Sequence, residues 1–319
     1  MPLFNFPKIK PKFNQPSEFM SKPDLFKVIL PIFFGIFFLF AGHTNSNAPV
    51  YQGPDIQIIG QDFYKDLESE FQRYSYQIDA LENGVPPLIL QNLPADLNTI
   101  QSSKLRKSIF FKSLLPMILL ANDEIRVERE QLLIINQQLS QREKLDESQL
   151  QILSTLSKRY KVKSDLTQPK KTVAQLLNRI DIIPVDLALA QAANESAWGT
   201  SRFSRVANNL FGEWTFVPGQ GIIPQGRPEG ETYEVQKFST VYDSVRSYLQ
   251  NLNTHSAYKH LRHLRSESRK SGQSLKGLKL AEGLLRYSTR GEDYVKELQA
   301  MIRSNQMNRF ASAKLRTNS

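Results

Sequence analysis

The chain contains no cysteine. That absence removes disulfides, thiolate metal sites and cysteine nucleophiles together. Histidine is nearly as scarce: His43, His255, His260 and His263 are the four present, and none stands in an HExxH arrangement, so neither a metal nor a cofactor is expected. The 15 glycines and 17 prolines are dispersed, which argues against a low-complexity or fibrous chain. With 319 residues, 40% hydrophobic and 23% charged, the chain suits one or two domains, each with a real core.

Charge is unevenly distributed. The net charge is +10, and from Asn251 onward fourteen Lys or Arg face five Asp or Glu. A basic surface suits nucleic acid, anionic lipid or an anionic wall polymer, and it is equally read as a solvated face.

Long apolar runs are few. Residues 1–27 form a basic, proline-broken segment, followed by VILPIFFGIFFLFAG over 28–42. The 18 positions from Leu25 would span about 27 Å as a helix, enough for a membrane anchor or the core of a signal peptide. No small-x-small cleavage site follows Ala41, which favours an uncleaved inner-membrane anchor. The lysines before the run place the N-terminus inside and the chain beyond residue 42 outside, in the periplasmic cell envelope. Export sets nucleic acid aside as a partner. Residues 43–54 read as a linker, 55–165 as a helical accessory region, 173–311 as the catalytic domain and 312–319 as a disordered tail. Within the accessory region, Ile109 to Ala121 is apolar but interrupted by Lys112 and Pro116, so it reads as a buried core helix. The glycine-free stretch from Asn122 reads as a long helix or a helical hairpin, without the strict heptads of a coiled coil.

The chemistry lies further on. Pro184 opens a helix in VDLALAQAANESAW, Gly199 marks its end and Ser201 caps a short following helix. Ala188, Ala192 and Glu195 share one stripe of the first helix. A carboxyl on a small-residue face near a helix end is partly desolvated, which raises its pKa toward what a general acid needs. Alone, such a glutamate is equally well a salt-bridging helix terminus. The segment NESAWGTS, followed within ten residues by NNLFG, favours the acid.

The residues AQAANESAWGTSRFSRVANNLFGEW resemble the glucosaminidase domain of glycoside hydrolase family 73. FSTVYDSVRSYLQNL resembles the family's strand-to-helix segment, and LLRYSTRGEDYVKELQAMI its tyrosine motif, with one extra residue between the tyrosines. The resemblance implies a mainly α (α+β), lysozyme-like catalytic domain with a small β-hairpin lobe. It also implies an endo-acting β-N-acetylglucosaminidase working on peptidoglycan glycan strands. A glycosidase normally needs a second group opposite the acid, and the family places one on the hairpin lobe. Here Glu229, Glu231 and Glu234 are the options, with Glu231 preferred at the foot of the strand past Gly230. By the same resemblance Tyr287 is a catalytic candidate and Tyr294 a substrate contact. Trp198 and Phe211 are candidates to stack on sugar rings or to pack in the core, and Asn209 to bind sugar hydroxyls or to form a turn. Two further functions fit less well: a wall-binding scaffold without turnover, and an amidase acting on the peptide stem. Oligomeric state is left open.

Overall fold

The core is threaded by a single helix. In the computed structural model, which describes residues 54–316, Ser103–Ser140 form one 38-residue helix, α2. The basic segment, the apolar run of 28–42 and the linker through Gly53 lie outside the described residues, as do 317–319. Among the described residues no helix is long and apolar enough to cross a membrane.

Ser102 starts α2 by accepting a hydrogen bond from the Leu105 amide at 3.2 Å. Residues 109–122 are buried except for half-buried Lys112, as expected for a core helix. Lys112 lays its ammonium 4.9 Å from the centre of the Phe71 ring. The helix turns back into α3 (Glu147–Arg159), whose start carries a capping box between Asp146 and Gln149. Of the two arrangements open to the sequence, this is the helical hairpin.

Around α2 pack α4 (Pro169–Arg179), α5 (Val185–Ser196) and α7 (Val241–Thr254). Buried Asn122 fixes the approach to α5: its amide donates to the Ile183 carbonyl at 2.8 Å and its carbonyl accepts from the Ile183 amide at 3.0 Å. The same loop is gripped from the other side by α8 (Lys259–Lys270). There Arg265, fully buried, donates to the carbonyls of Asp181 at 2.9 Å and Arg179 at 2.9 Å, and Arg269 pairs with Asp181. A buried guanidinium is tolerated because its donors find acceptors among these carbonyls and the Asn253 side-chain oxygen.

The remaining helices are α1 (Tyr64–Arg73), α6 (Arg202–Val206), α9 (Gly277–Leu280) and α10 (Glu292–Ser304). Two small sheets complete the fold of the described residues. Strands β1 (Gln57–Ile59) and β2 (Leu88–Leu90) pair in parallel. Strands β3 (Trp214–Thr215), β4 (Gly221–Ile222) and β5 (Glu234–Gln236) form an antiparallel sheet in the order β3-β5-β4. The lobe is thus three-stranded where the sequence suggests a simple hairpin, because the glycine-rich segment returns to pair Ile222 with Val235.

The end of the described chain is docked where the sequence suggests a loose tail from 312. Leu315 bridges Val85, and the Arg316 guanidinium donates to the carbonyls of Tyr74 at 2.6 Å and Gly84 at 3.1 Å.

Candidate active site

The site is built on the turn that ends α5. Ala197 and Trp198 are both left-handed, with φ of 50° and 60°, and Gly199 follows at 79°. Such a conformation costs a side-chain-bearing residue about 1–2 kcal/mol, so surrounding contacts must hold it. The Ser196 hydroxyl donates to the Ala192 carbonyl at 2.6 Å and accepts from the Gly199 amide at 2.8 Å. Gly199 has no room for a side chain, since a Cβ there would stand 2.8 Å from Leu93 Cδ1. The Trp198 ring meets Phe110 and Phe111 of α2 edge-on, each at 5.5 Å, with the Lys107 ammonium 4.7 Å from its centre.

Glu195 is half-buried at the last turn of α5. A chain of hydrogen bonds leads to it from the core. The Tyr248 hydroxyl donates to the Gln191 side-chain carbonyl at 2.6 Å, the Gln191 amide to the Tyr294 hydroxyl at 3.0 Å, and the Tyr294 hydroxyl to Glu195 Oε1 at 2.8 Å. Burial pushes the Glu195 carboxyl above the ordinary range, while the Tyr294 bond and the charge of Arg290 pull against it. On the other side lies Gly212, whose φ of 68° favours glycine and whose Cβ position would be in ordinary contact with Glu195 Oε2 at 3.8 Å.

Aromatic rings wall the site. Tyr287 stacks on Tyr294 with ring centres 5.5 Å apart and planes 4° from parallel, and Tyr258 adjoins Tyr287 at 5.8 Å. Phe211 stacks on Tyr248 at 3.9 Å.

The structure gives the other residues singled out by sequence definite places. Tyr287 donates its hydroxyl to the Phe211 carbonyl at 2.9 Å and so fixes the loop beside the acid. Tyr294 is only 1% exposed and acts on Glu195 rather than lining the surface. Phe211, also buried, belongs to the core, its ring stacked on Tyr248, whereas Trp198 is half-buried and packs edge-on against α2. Asn209 is a loop tie: its amide donates to the carbonyls of Glu213 at 2.8 Å and Gln236 at 2.9 Å, and its carbonyl accepts from the Glu213 amide at 3.0 Å. On the lobe, Glu229 and Glu231 are exposed. Glu234 is committed to the sheet, accepting from the amides of Gly219 at 3.0 Å and Gly221 at 2.8 Å, bonds that lower its pKa.

Two residues that sequence reasoning passed over also belong here. Glu213, directly after the NNLFG segment, is held by the Ser247 hydroxyl on Oε2, and burial pushes its carboxyl up to about 7. Tyr258, at the start of α8, feels the charge of Glu213 first and of Glu195 second, on top of its burial. The only sequence signal for Glu213 is its position after NNLFG. Tyr258 carries none.

Residues 170–307 match the glucosaminidase family model, whose description reads mannosyl-glycoprotein endo-beta-N-acetylglucosaminidase. Protein bax of Escherichia coli (strain K12) is 36% identical over 211 residues, 66% of this chain and 74% of that protein. A solved structure, the catalytic domain of the autolysin Auto from Listeria monocytogenes, is 18% identical with a TM-score of 0.31, covering 52% of this chain and 89% of its own.

Proposed function

Because the chain belongs to the glucosaminidase family, we propose that it is a peptidoglycan hydrolase, an endo-β-N-acetylglucosaminidase in which Glu195 is the general acid. One observation carries the reading: a carboxyl raised by burial at the end of a helix, with the Tyr294 phenol donating to it. A raised pKa keeps the proton on the carboxyl to higher pH than an ordinary glutamate would, so that it can be given to the leaving glycosidic oxygen. As the proton departs, charge develops on Glu195, and the Tyr294 bond strengthens with it. That bond therefore stabilises the transition state more than the ground state.

For the second group, Glu231 on the exposed turn of the lobe is the proposed partner, since Glu234 is occupied by the sheet. Attack by the substrate's own acetamido group is the other route open to an N-acetylhexosamine, and it needs no second carboxylate. The basic segment and apolar run of 1–42 support placement in the cell envelope through an inner-membrane anchor.

Incubating the protein with peptidoglycan and reading the products by mass spectrometry tests the reading. Reducing-end N-acetylglucosamine is expected, and Glu195→Gln should lower its release at least about 100-fold. Reducing-end N-acetylmuramic acid would make the enzyme a muramidase, freed stem peptide an amidase, and no product a wall-binding scaffold. Full activity of Glu231→Gln would favour the acetamido route.

A further inference from the structure

Helix α7 is held on two opposite sides. One side carries Ser244, Ser247 and Tyr248, and each serves the site: the Ser244 hydroxyl accepts from the Leu210 amide at 3.2 Å, Ser247 donates to Glu213 Oε2, and Tyr248 donates to the Gln191 side-chain carbonyl at 2.6 Å. The Tyr248 bond orients Gln191. With its carbonyl taken, Gln191 turns its amide to the Tyr294 hydroxyl, which directs its own proton to Glu195. The other side carries Tyr242, Arg246 and Gln250, spaced one helical turn apart, and faces the hairpin of α2 and α3. Glu124 of α2 accepts from the Tyr242 hydroxyl on Oε1 at 2.9 Å and from Arg246 Nε on Oε2 at 3.0 Å. Arg159, at the end of α3, stands 3.9 Å from the same carboxylate, pairs with Glu128, and accepts at its carbonyl from the Gln250 side-chain amide at 2.7 Å.

Both helices of that hairpin lie before residue 170, where the family model begins. We propose that Glu124 is a positioning residue for the acid, setting through Tyr242 and Arg246 the pose of α7 from which Tyr248 aims the chain of Gln191, Tyr294 and Glu195. The geometry is more than that of a surface ion pair. The two oxygens of one carboxylate hold residues one turn apart on the same helix, so sliding or rotating α7 breaks at least one of the bonds. Ser247 and Tyr248 directly follow Arg246 in the chain, so a shift at the Glu124 contact is passed to their hydroxyls within about 3 Å of helix rise. Misplacing a catalytic contact by about 1 Å costs up to about 100-fold in rate. Glu124 bonds to α7 and not to Glu195, so its effect falls on kcat and leaves KM alone.

This inference rests on the glucosaminidase reading, and the test separates the two. Release of reducing-end N-acetylglucosamine from peptidoglycan is measured for wild type, Glu124→Ala, Tyr248→Phe and the double variant, with turnover expressed per folded molecule from thermal melts. Glu124→Ala should lower kcat about tenfold and keep KM within about twofold of wild type. In Tyr248→Phe the chain is already cut at its first bond, so adding Glu124→Ala should lower kcat much less than it does alone. Tyr242→Phe removes a single oxygen from the Glu124 contact and should lower kcat in the same sense, so it stands as the test where Glu124→Ala fails to fold. Wild-type kcat in the folded variant, or Glu124 and Tyr248 effects that multiply in full, overturns the positioning role while the glucosaminidase reading stands. If wild type releases no reducing-end N-acetylglucosamine, that reading itself falls and the inference with it.

Discussion

Tyr294 and Glu195, 99 residues apart in sequence, are joined by a 2.8 Å hydrogen bond in which the phenol donates and the carboxyl accepts. The bond favours the ionised acid, whereas burial favours the protonated one, and burial has the larger effect.

Tyr294→Phe should separate these two influences. A general acid works while protonated, so activity falls as pH rises through its pKa. Removing the bond that favours ionisation raises that pKa further, moving the alkaline limb of the pH profile to higher pH. Because the same bond strengthens in the transition state, kcat should also fall roughly 10- to 100-fold, the rate equivalent of a charged hydrogen bond. A profile of kcat against pH for both proteins reads both effects.

Phe110→Ala should act on the site from outside it. Phe110 is fully buried, lies against the Trp198 ring, and would be 3.4 Å from a Cβ at Gly199. Truncation should cost about 3–5 kcal/mol in denaturant melts. Turnover measured on the folded fraction should drop as well, since the turn that aims Glu195 loses its support.

Ala197→Gly should stabilise. Ala197 is exposed and has φ of 50°, so glycine gives up little contact and relieves left-handed strain. The gain should be about 1 kcal/mol, which for a chain of this size raises Tm by about 2–4 °C. A scan of wild type against the variant decides it.

Glu213→Gln should change how stability depends on pH. The Glu213 carboxyl is pushed from 4.5 up to about 7 in the folded protein, so the native chain keeps this proton after the unfolded chain has lost it. Its contribution is complete below about pH 4.5 and is lost as pH rises toward 7, a swing of about 3 kcal/mol. Glutamine cannot ionise, so the variant should lack this loss. Chemical denaturation at pH 5 and pH 8 should show wild type weakening across that interval by more than the variant does.

Much of the site helix is legible in the sequence. The stripe of Ala188, Ala192 and Glu195 and the Ser201 cap reappear, because helix periodicity and capping are local, whereas the helix stops at Ser196, short of the expected break at Gly199, with Ala197 and Trp198 already left-handed. The lobe is legible in outline from its glycines. The partners are not legible, because they are tertiary. Nothing local separates Glu231 from Glu234, yet one is exposed and the other binds two amides. Trp198 has the chemistry to stack on a sugar, and only the distant Phe110 and Phe111 determine where its ring goes. Glu213 resembles any surface glutamate until the fold buries its carboxyl against Ser247.

The long helix α2 changes what counts as a unit of inheritance. The family model begins at residue 170, yet the hydrophobic wall behind the ESAWG turn comes from Phe110, Phe111, Leu93 and Leu97, all upstream of that point. The span of the family model and the span of the packed core therefore have different boundaries. Cutting at the first would strip apolar faces from α4, α5 and α7 and leave two left-handed residues with nothing to brace them. In this chain a recombination event or a domain transplant that carries the catalytic motif must also carry the helix before it.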